Sequence, residues 1–243
     1  MNQRIRKILS MDTLRKIVPL AGLIILILIF SLTTNGLFLR WSNIQSLIMQ
    51  AAITLVAATG TVFVMAHNNL DFSLGGACAL SAVLSYLVTG GELIPFFLMC
   101  IVFGVMCGLI SAFIHIGGRV PAFMAGLCIM FAGRGLAQTV SASQTMLMVD
   151  AAQFNQLWFF LVVVIVVFGA CFFLFNFTKL GKYQKLIGTN PTATQLSGVN
   201  VNKYKTLAFV VCGITLGIAA CLTIVRMPPL PFSISIFPRI LIL

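Results

Sequence analysis

"MAHNNLDFSLGGACALSA", residues 65–82, sets a histidine, two asparagines and an aspartate between two long apolar runs. The chain has 243 residues and only four acidic ones, so Asp71 needs a physical reason to be there. Hydrophobic residues make up 60% of the chain, charged residues 8%, and the mean hydropathy is +1.10. Soluble domains carry about 25% charged residues, so this composition belongs to an integral membrane protein. Two readings of Asp71 follow. It lies in a short cytoplasmic turn, where a carboxylate is cheap. Alternatively, "HNNLDFSLGG" interrupts a helix inside the bundle, and Asn68, Asn69, Asp71 and Ser73 line a polar pathway. Asp71 and Ser73 also suit a helix start, since both can cap exposed N–H groups.

A helix that crosses about 30 Å of hydrocarbon needs about 20 apolar residues. Working outward from residue 65, that criterion marks seven windows: 17–34, 43–66, 72–89, 94–116, 120–140, 157–177 and 206–226. The expectation is an all-α, polytopic transmembrane helical bundle. The first window follows "MNQRIRKILSMDTLRK", which lacks a small-residue cleavage site and reads as an uncleaved signal anchor. Arg4, Arg6, Lys7, Arg15 and Lys16 place residues 1–16 in the cytoplasm. Counting spans from there puts 67–71, 117–119 and 178–205 on the inside. The last of these carries Lys179, Lys182, Lys185, Lys203 and Lys205, so charge and parity agree. The domain reading is a basic N-terminus (1–16), a membrane domain (17–226) containing the 178–205 loop, and a proline-rich tail (227–243). The formal charge of +11 reports this topology and gives no reason to expect nucleic acid as a partner.

Gly104 and Gly108, and Gly213 and Gly217, form two GxxxG pairs that let helix backbones approach closely. Seven cysteines form no CxxC pair and read as packing residues. Gly181-Lys182 lacks the rest of a Walker A loop, so the chain does not hydrolyse ATP alone. His67 and His115 have no HExxH context, and no metal site is expected. His67, Asp71 and Ser73 lie within seven positions, which does not establish a catalytic triad. Arg134 falls about 20 Å from the inner end of its window. It either snorkels outward or faces the interior, with Gln138 one turn above it.

Three segments resemble the membrane permeases of bacterial ABC importers for ribose, xylose, galactose and related small polar compounds. "NNLDFSLGGACALSA" is similar to the family stretch G-I-D-L-S-V-G, with Asn69-Leu70 in place of Gly-Ile. "VPAFMAGLCIMFAGRGLAQ" keeps Val120, Pro121, Phe123, Leu127, Met130 and the run from Arg134 to Ala137, while Gly126 and Cys128 replace Thr and Gly. "FTKLGKYQKLIGTNPTATQLSGVNV" keeps Thr178, Gly181, Ile187, Gly188, Asn190, Ala193, Ser197 and Gly198. The resemblance runs from about residue 20 to residue 226. It implies a permease subunit in a bacterial inner membrane that binds no cofactor itself. The implied partners are a second permease subunit, a cytoplasmic ABC ATPase that uses the ATP, an extracytoplasmic substrate-binding protein and membrane lipid.

The resemblance makes the 178–205 loop the ATPase-coupling element. The residues fit a short helix there, with Asn190 as cap, Pro191 at its first position and Gly198 at its end, presenting Ala193, Leu196 and Ser197. After Arg226 the chain reads "MPPLPFSISIFPRILIL", whose prolines disfavour a further helix, so a truncated or frame-shifted product is expected. Two other readings stay open: an ion-coupled secondary transporter using Asp71, and a membrane scaffold without transport. The orientation is testable by cysteine labelling of intact cells. Cysteines at Asn2 and Thr189 are expected to stay unlabelled by an impermeant reagent until the membrane is opened, and labelling from outside refutes the topology.

Overall fold

The computed structural model describes residues 11–142 and 154–226. Arg4, Arg6, Lys7, residues 143–153 and the proline-rich tail lie outside the described residues. Nine α-helices occupy the described residues. In chain order they are α1 (Met11–Thr33), α2 (Trp41–Met65), α3 (Leu74–Thr89), α4 (Leu93–Ala112), α5 (Ala122–Ala142), α6 (Leu157–Phe177), α7 (Lys179–Thr189), α8 (Pro191–Leu196) and α9 (Val201–Arg226). Each of the seven apolar windows is filled by one helix. Five helical stretches are long and apolar enough to cross a membrane, and Val18–Thr33 and Leu74–Thr89 are shorter apolar helices.

Two compact units divide the chain at Ile48. In the first, α1 ends where Asn35 and Gly36 take left-handed backbone, at φ 49° and 78°. The Thr34 hydroxyl donates to Phe30 O (2.6 Å) and accepts from Phe38 N (3.1 Å), and Phe30 stacks on Phe38 at 5.7 Å.

In the second unit, α9 is the central helix, with 72% of its apolar window buried, against 17% for α6. Its main partner is α4, and the two GxxxG pairs face each other. A Cβ on Gly104 would strike Gly213 O and the Gly217 backbone, and one on Gly108 would strike Phe209 O. Gly60 of α2 meets Thr215 and Cys212 of α9 in the same way, and Gly76 of α3 lies on the backbone of Met130 in α5. Several buried hydroxyls are satisfied within their own helices, as in Ser81 to Ala77 O (2.6 Å) and Thr223 to Ala219 O (2.7 Å), while Ser111 Oγ has no partner among the described residues. The seven cysteines are free thiols, six of them buried.

Two expectations change. The 178–205 segment is not a loop, because Lys179–Thr189 is helical and turns Gly181, Gln184 and Ile187 inward at helical spacing. The last membrane helix begins at Val201 rather than 206, so Lys203 and Lys205 ride on its first turns. Long lysine stems can follow an apolar helix while their charges reach water, which hides the true helix start from a hydropathy count.

The α4–α9 contact can be tested with one substitution. Gly104→Leu forces the two backbones apart and is expected to destabilise the bundle by ~2 kcal/mol or more. Gly169→Ala meets nothing within 4 Å and serves as the neutral control. Thermal midpoints of the purified proteins check both.

Candidate functional site

Three inter-helix links meet at one end of the bundle: 66–73 between α2 and α3, the turn Phe113–Gly117 running into α5, and the α7–α8 segment. These are the links that parity assigns to the inside. α4 ends in a π-helical turn, Phe113–Gly117, and Arg119 then takes φ 54°. Asn68 also has left-handed backbone, at φ 59°, a conformation that asparagine tolerates well. Its amide donates to Gly188 O at the end of α7 (2.8 Å). A Cβ on Gly188 would strike Ala66 O, so the helix end lies directly on the 66–68 turn.

Asn69 Nδ2 lies 3.0 Å from His67 Nδ1 and 3.0 Å from His115 Nε2. His115 Nδ1 is 2.7 Å from Val120 O. A carbonyl can only accept, so His115 donates from Nδ1 and accepts at Nε2, and the two Asn69 amide hydrogens serve the two rings. His67 therefore accepts at Nδ1 and carries its proton on Nε2, which is buried with no protein partner. Burial, with the nearby Lys205 charge as a second cause, lowers the His67 pKa from 6.5 to about 4. The buried Phe209 ring lies 6.3 Å from His67 and 5.9 Å from His115.

Asp71 is 9% exposed, which removes the reading as a solvated turn. Its Oδ1 accepts from Ser73 N (2.8 Å) and its Oδ2 from Ser73 Oγ (3.0 Å). Ser73 occupies the N-cap position of α3 without capping it by its side chain. Its hydroxyl is donated to Asp71 instead. Gly126 of α5 makes room for this turn, since a Cβ there would lie 2.5 Å from Asp71 Oδ1 and 2.6 Å from Phe72 N. Burial raises the Asp71 pKa, and the two Ser73 hydrogen bonds act in the opposite direction.

The remaining pathway candidates lie elsewhere. Arg134 stands about 12 Å along α5 from Gly126. It is half-buried with Nε enclosed and unpartnered, while Gln138 is exposed. The structure therefore gathers Asn68, Asn69, Asp71 and Ser73 at one end and leaves Arg134 and Gln138 apart from them. His67, His115, Gly126 and the Asn68–Gly188 contact enter the site from the structure. Parity held their signal, because it places the 67–71 and 117–119 links on the same side.

The protonation of Asp71 carries a signed prediction. A raised carboxyl pKa stabilises the fold below the unfolded value of 3.8, and that stability is lost as pH rises through the folded value. The lowered His67 pKa acts oppositely, its stability being present above 6.5 and lost as pH falls toward about 4. The difference between wild type and Asp71→Asn isolates the first effect. Asp71→Asn is expected to gain thermal stability relative to wild type as pH rises from about 4 to about 8. A constant difference across that range shows that the carboxylate is not desolvated.

Residues 43–237 match the family model described as branched-chain amino acid transport system / permease component. The ribose import permease RbsC of Haemophilus influenzae is 31% identical over 220 residues, covering 85% of this chain and 68% of that protein. The ribose import permease RbsC of Escherichia coli is 28% identical over 223 residues, covering 86% of this chain and 68% of that protein. The Escherichia coli xylose transport system permease XylH is 30% identical over 142 residues, covering 57% and 36%. No solved structure matches the chain. The apolar helices and a family match over most of the sequence agree: the chain is a multi-pass inner-membrane protein and belongs to the branched-chain amino acid transport system / permease component family.

Proposed function

We propose that this chain is the permease subunit of an ABC importer and forms the pathway for a pentose, hexose or similar small polar solute. It works with a second permease subunit, a cytoplasmic ABC ATPase and an extracytoplasmic binding protein. The similarity to ribose and xylose permeases supports the solute class. The observation that carries the coupling role is α8, a short capped helix projecting from a rigid mount. Asn190 Oδ1 accepts from Ala193 N (3.0 Å), Pro191 starts the helix, and Gly198 closes it at φ 84°. Ala193 and Ser197 are exposed, and Leu196 is 85% exposed.

The mount is α7. Gly181 packs on the Phe175 backbone at the end of α6, and Gln184 Nε2 donates to Tyr204 O of α9 (2.6 Å). Ile187 is fully buried, and Lys185 Nζ lies 4.6 Å over the Phe175 ring. A load applied to α8 therefore meets a helix fixed at both ends. The chain supplies the pathway and the ATPase supplies the work.

The enclosed Asp71 carboxyl, bonded only to Ser73 among the hydrogen bonds of the described residues, is the feature on which a second reading rests, an ion-coupled transporter with Asp71 as the proton site. Two measurements separate the readings. Ala193→Asp and Leu196→Asp place a charge on the docking helix without touching the bundle core. Both variants are expected to reach the membrane at wild-type level while co-purification of the co-expressed ATPase falls at least about tenfold. Undiminished co-purification refutes α8 as the docking element. Uptake of radiolabelled ribose that persists without ATP and collapses with a protonophore favours the second reading.

A further inference from the structure

We propose that Asn69 is a positioning residue that ties the 66–73 link, which Asn68 joins to the end of α7, to the 113–121 link, so that displacement of α8 is carried to α5. The proposal rests on the reading of α8 as the ATPase dock and names the route inward from it.

Each step of the route is a backbone approach or a hydrogen bond. Asn190 caps α8 and directly follows α7, whose Gly188 lies on Ala66 with no space for a Cβ. Gly188 O receives the Asn68 amide at 2.8 Å. The next residue, Asn69, spends one amide hydrogen on His67 and the other on His115, each at 3.0 Å. His115 passes the connection to Val120 O at 2.7 Å, one residue before Pro121 and two before α5 begins at Ala122. The bridge has a chemical polarity: it needs two donors at position 69 and an acceptor at the Nε2 place of residue 115. A side chain that merely fills space has no such requirement. Asn69 also stands where the resembling motif has glycine, so the bridge is a feature of this chain rather than of the motif.

Hydrogen exchange on the full-length chain in nanodiscs, with and without its co-expressed ATPase, tests the route. In wild type, docking the ATPase is expected to slow amide exchange both at 190–197 and at 113–121. In Asn69→Ala the slowing at 190–197 remains, while that at 113–121 falls at least about threefold. His115→Gln keeps an acceptor near the Nε2 place but loses the donor to Val120 O, so the slowing is expected to persist at 113–117 and to weaken at 118–120. His115→Asn keeps a donor for Val120 O but not the acceptor, and is expected to behave as Asn69→Ala. Asn69→Gly, the residue of the resembling motif, substitutes for Asn69→Ala if the latter does not accumulate. A full response at 113–121 in the Asn69 variants, or in His115→Asn, overturns the proposal. So does a wild-type chain that is protected at 190–197 alone. Absence of protection at 190–197 in wild type defeats the docking reading instead, and with it the input to this route.

Discussion

The close approach of α4 and α9 is the contact on which the rest of the second unit depends. In lipid, two apolar helices gain nothing by hiding from water, so their association must come from van der Waals contact at short range. Gly104 and Gly108 on one helix and Gly213 and Gly217 on the other remove the side chains that would hold the backbones apart. The same crossing builds the polar end of the bundle. Gly108 rests on the Phe209 carbonyl, and the Phe209 ring forms the wall beside both His67 and His115. A shift at the glycine contact would therefore move the floor of the candidate site.

The short α3 explains why costly polar groups are placed at that end. Its 16 residues cover about 24 Å, less than the roughly 30 Å of a hydrocarbon core. The non-helical 66–73 link leads into it, and some backbone N–H groups there have no helical partner. Asp71 takes one of those groups, Ser73 N, and the Ser73 hydroxyl as well. The carboxylate stabilises the broken start of α3 and is itself stabilised by it. Asn68 and Asn69 tie the other half of the link to α7 and to His115. The polar residues that look anomalous in the sequence are the ones that replace a missing helical turn.

The sequence revealed the spans readily, because lipid demands long apolar runs and each of the seven windows holds a helix. It revealed edges and rotations poorly. Lys203 and Lys205 sit on the first turns of α9, and Lys179, Lys182 and Lys185 on the outer face of α7, so charge concealed helix in both places. The GxxxG spacing marks a contact face and is silent about its partner. Arg134 and Gln138 are about one turn apart, yet one is half-buried and the other exposed, because four residues carry the helix about 40° past a full turn. His67 and His115 carry no motif. Only the convergence of two short links on one side gives them a common address, and a linear reading of residue types weighs each histidine alone.

The two departures from the resembling motifs at this end of the bundle make sense as one structural solution. Where the motif has glycine, this chain has Asn69, which adds an amide that holds two rings. Where the motif has threonine, it has Gly126, which removes every side-chain atom from the surface that Asp71 and Phe72 press against. Any Cβ at 126 would collide with Asp71 Oδ1 and Phe72 N, so a link seated this close to α5 requires glycine there. Holding the link in that seat in turn requires something on its other side, and the Asn69 bridge to His67 and His115 supplies it. Either change alone conflicts with its surroundings. Threonine at 126 would lift the link away from α5, and glycine at 69 would leave the two imidazoles without the donor they share.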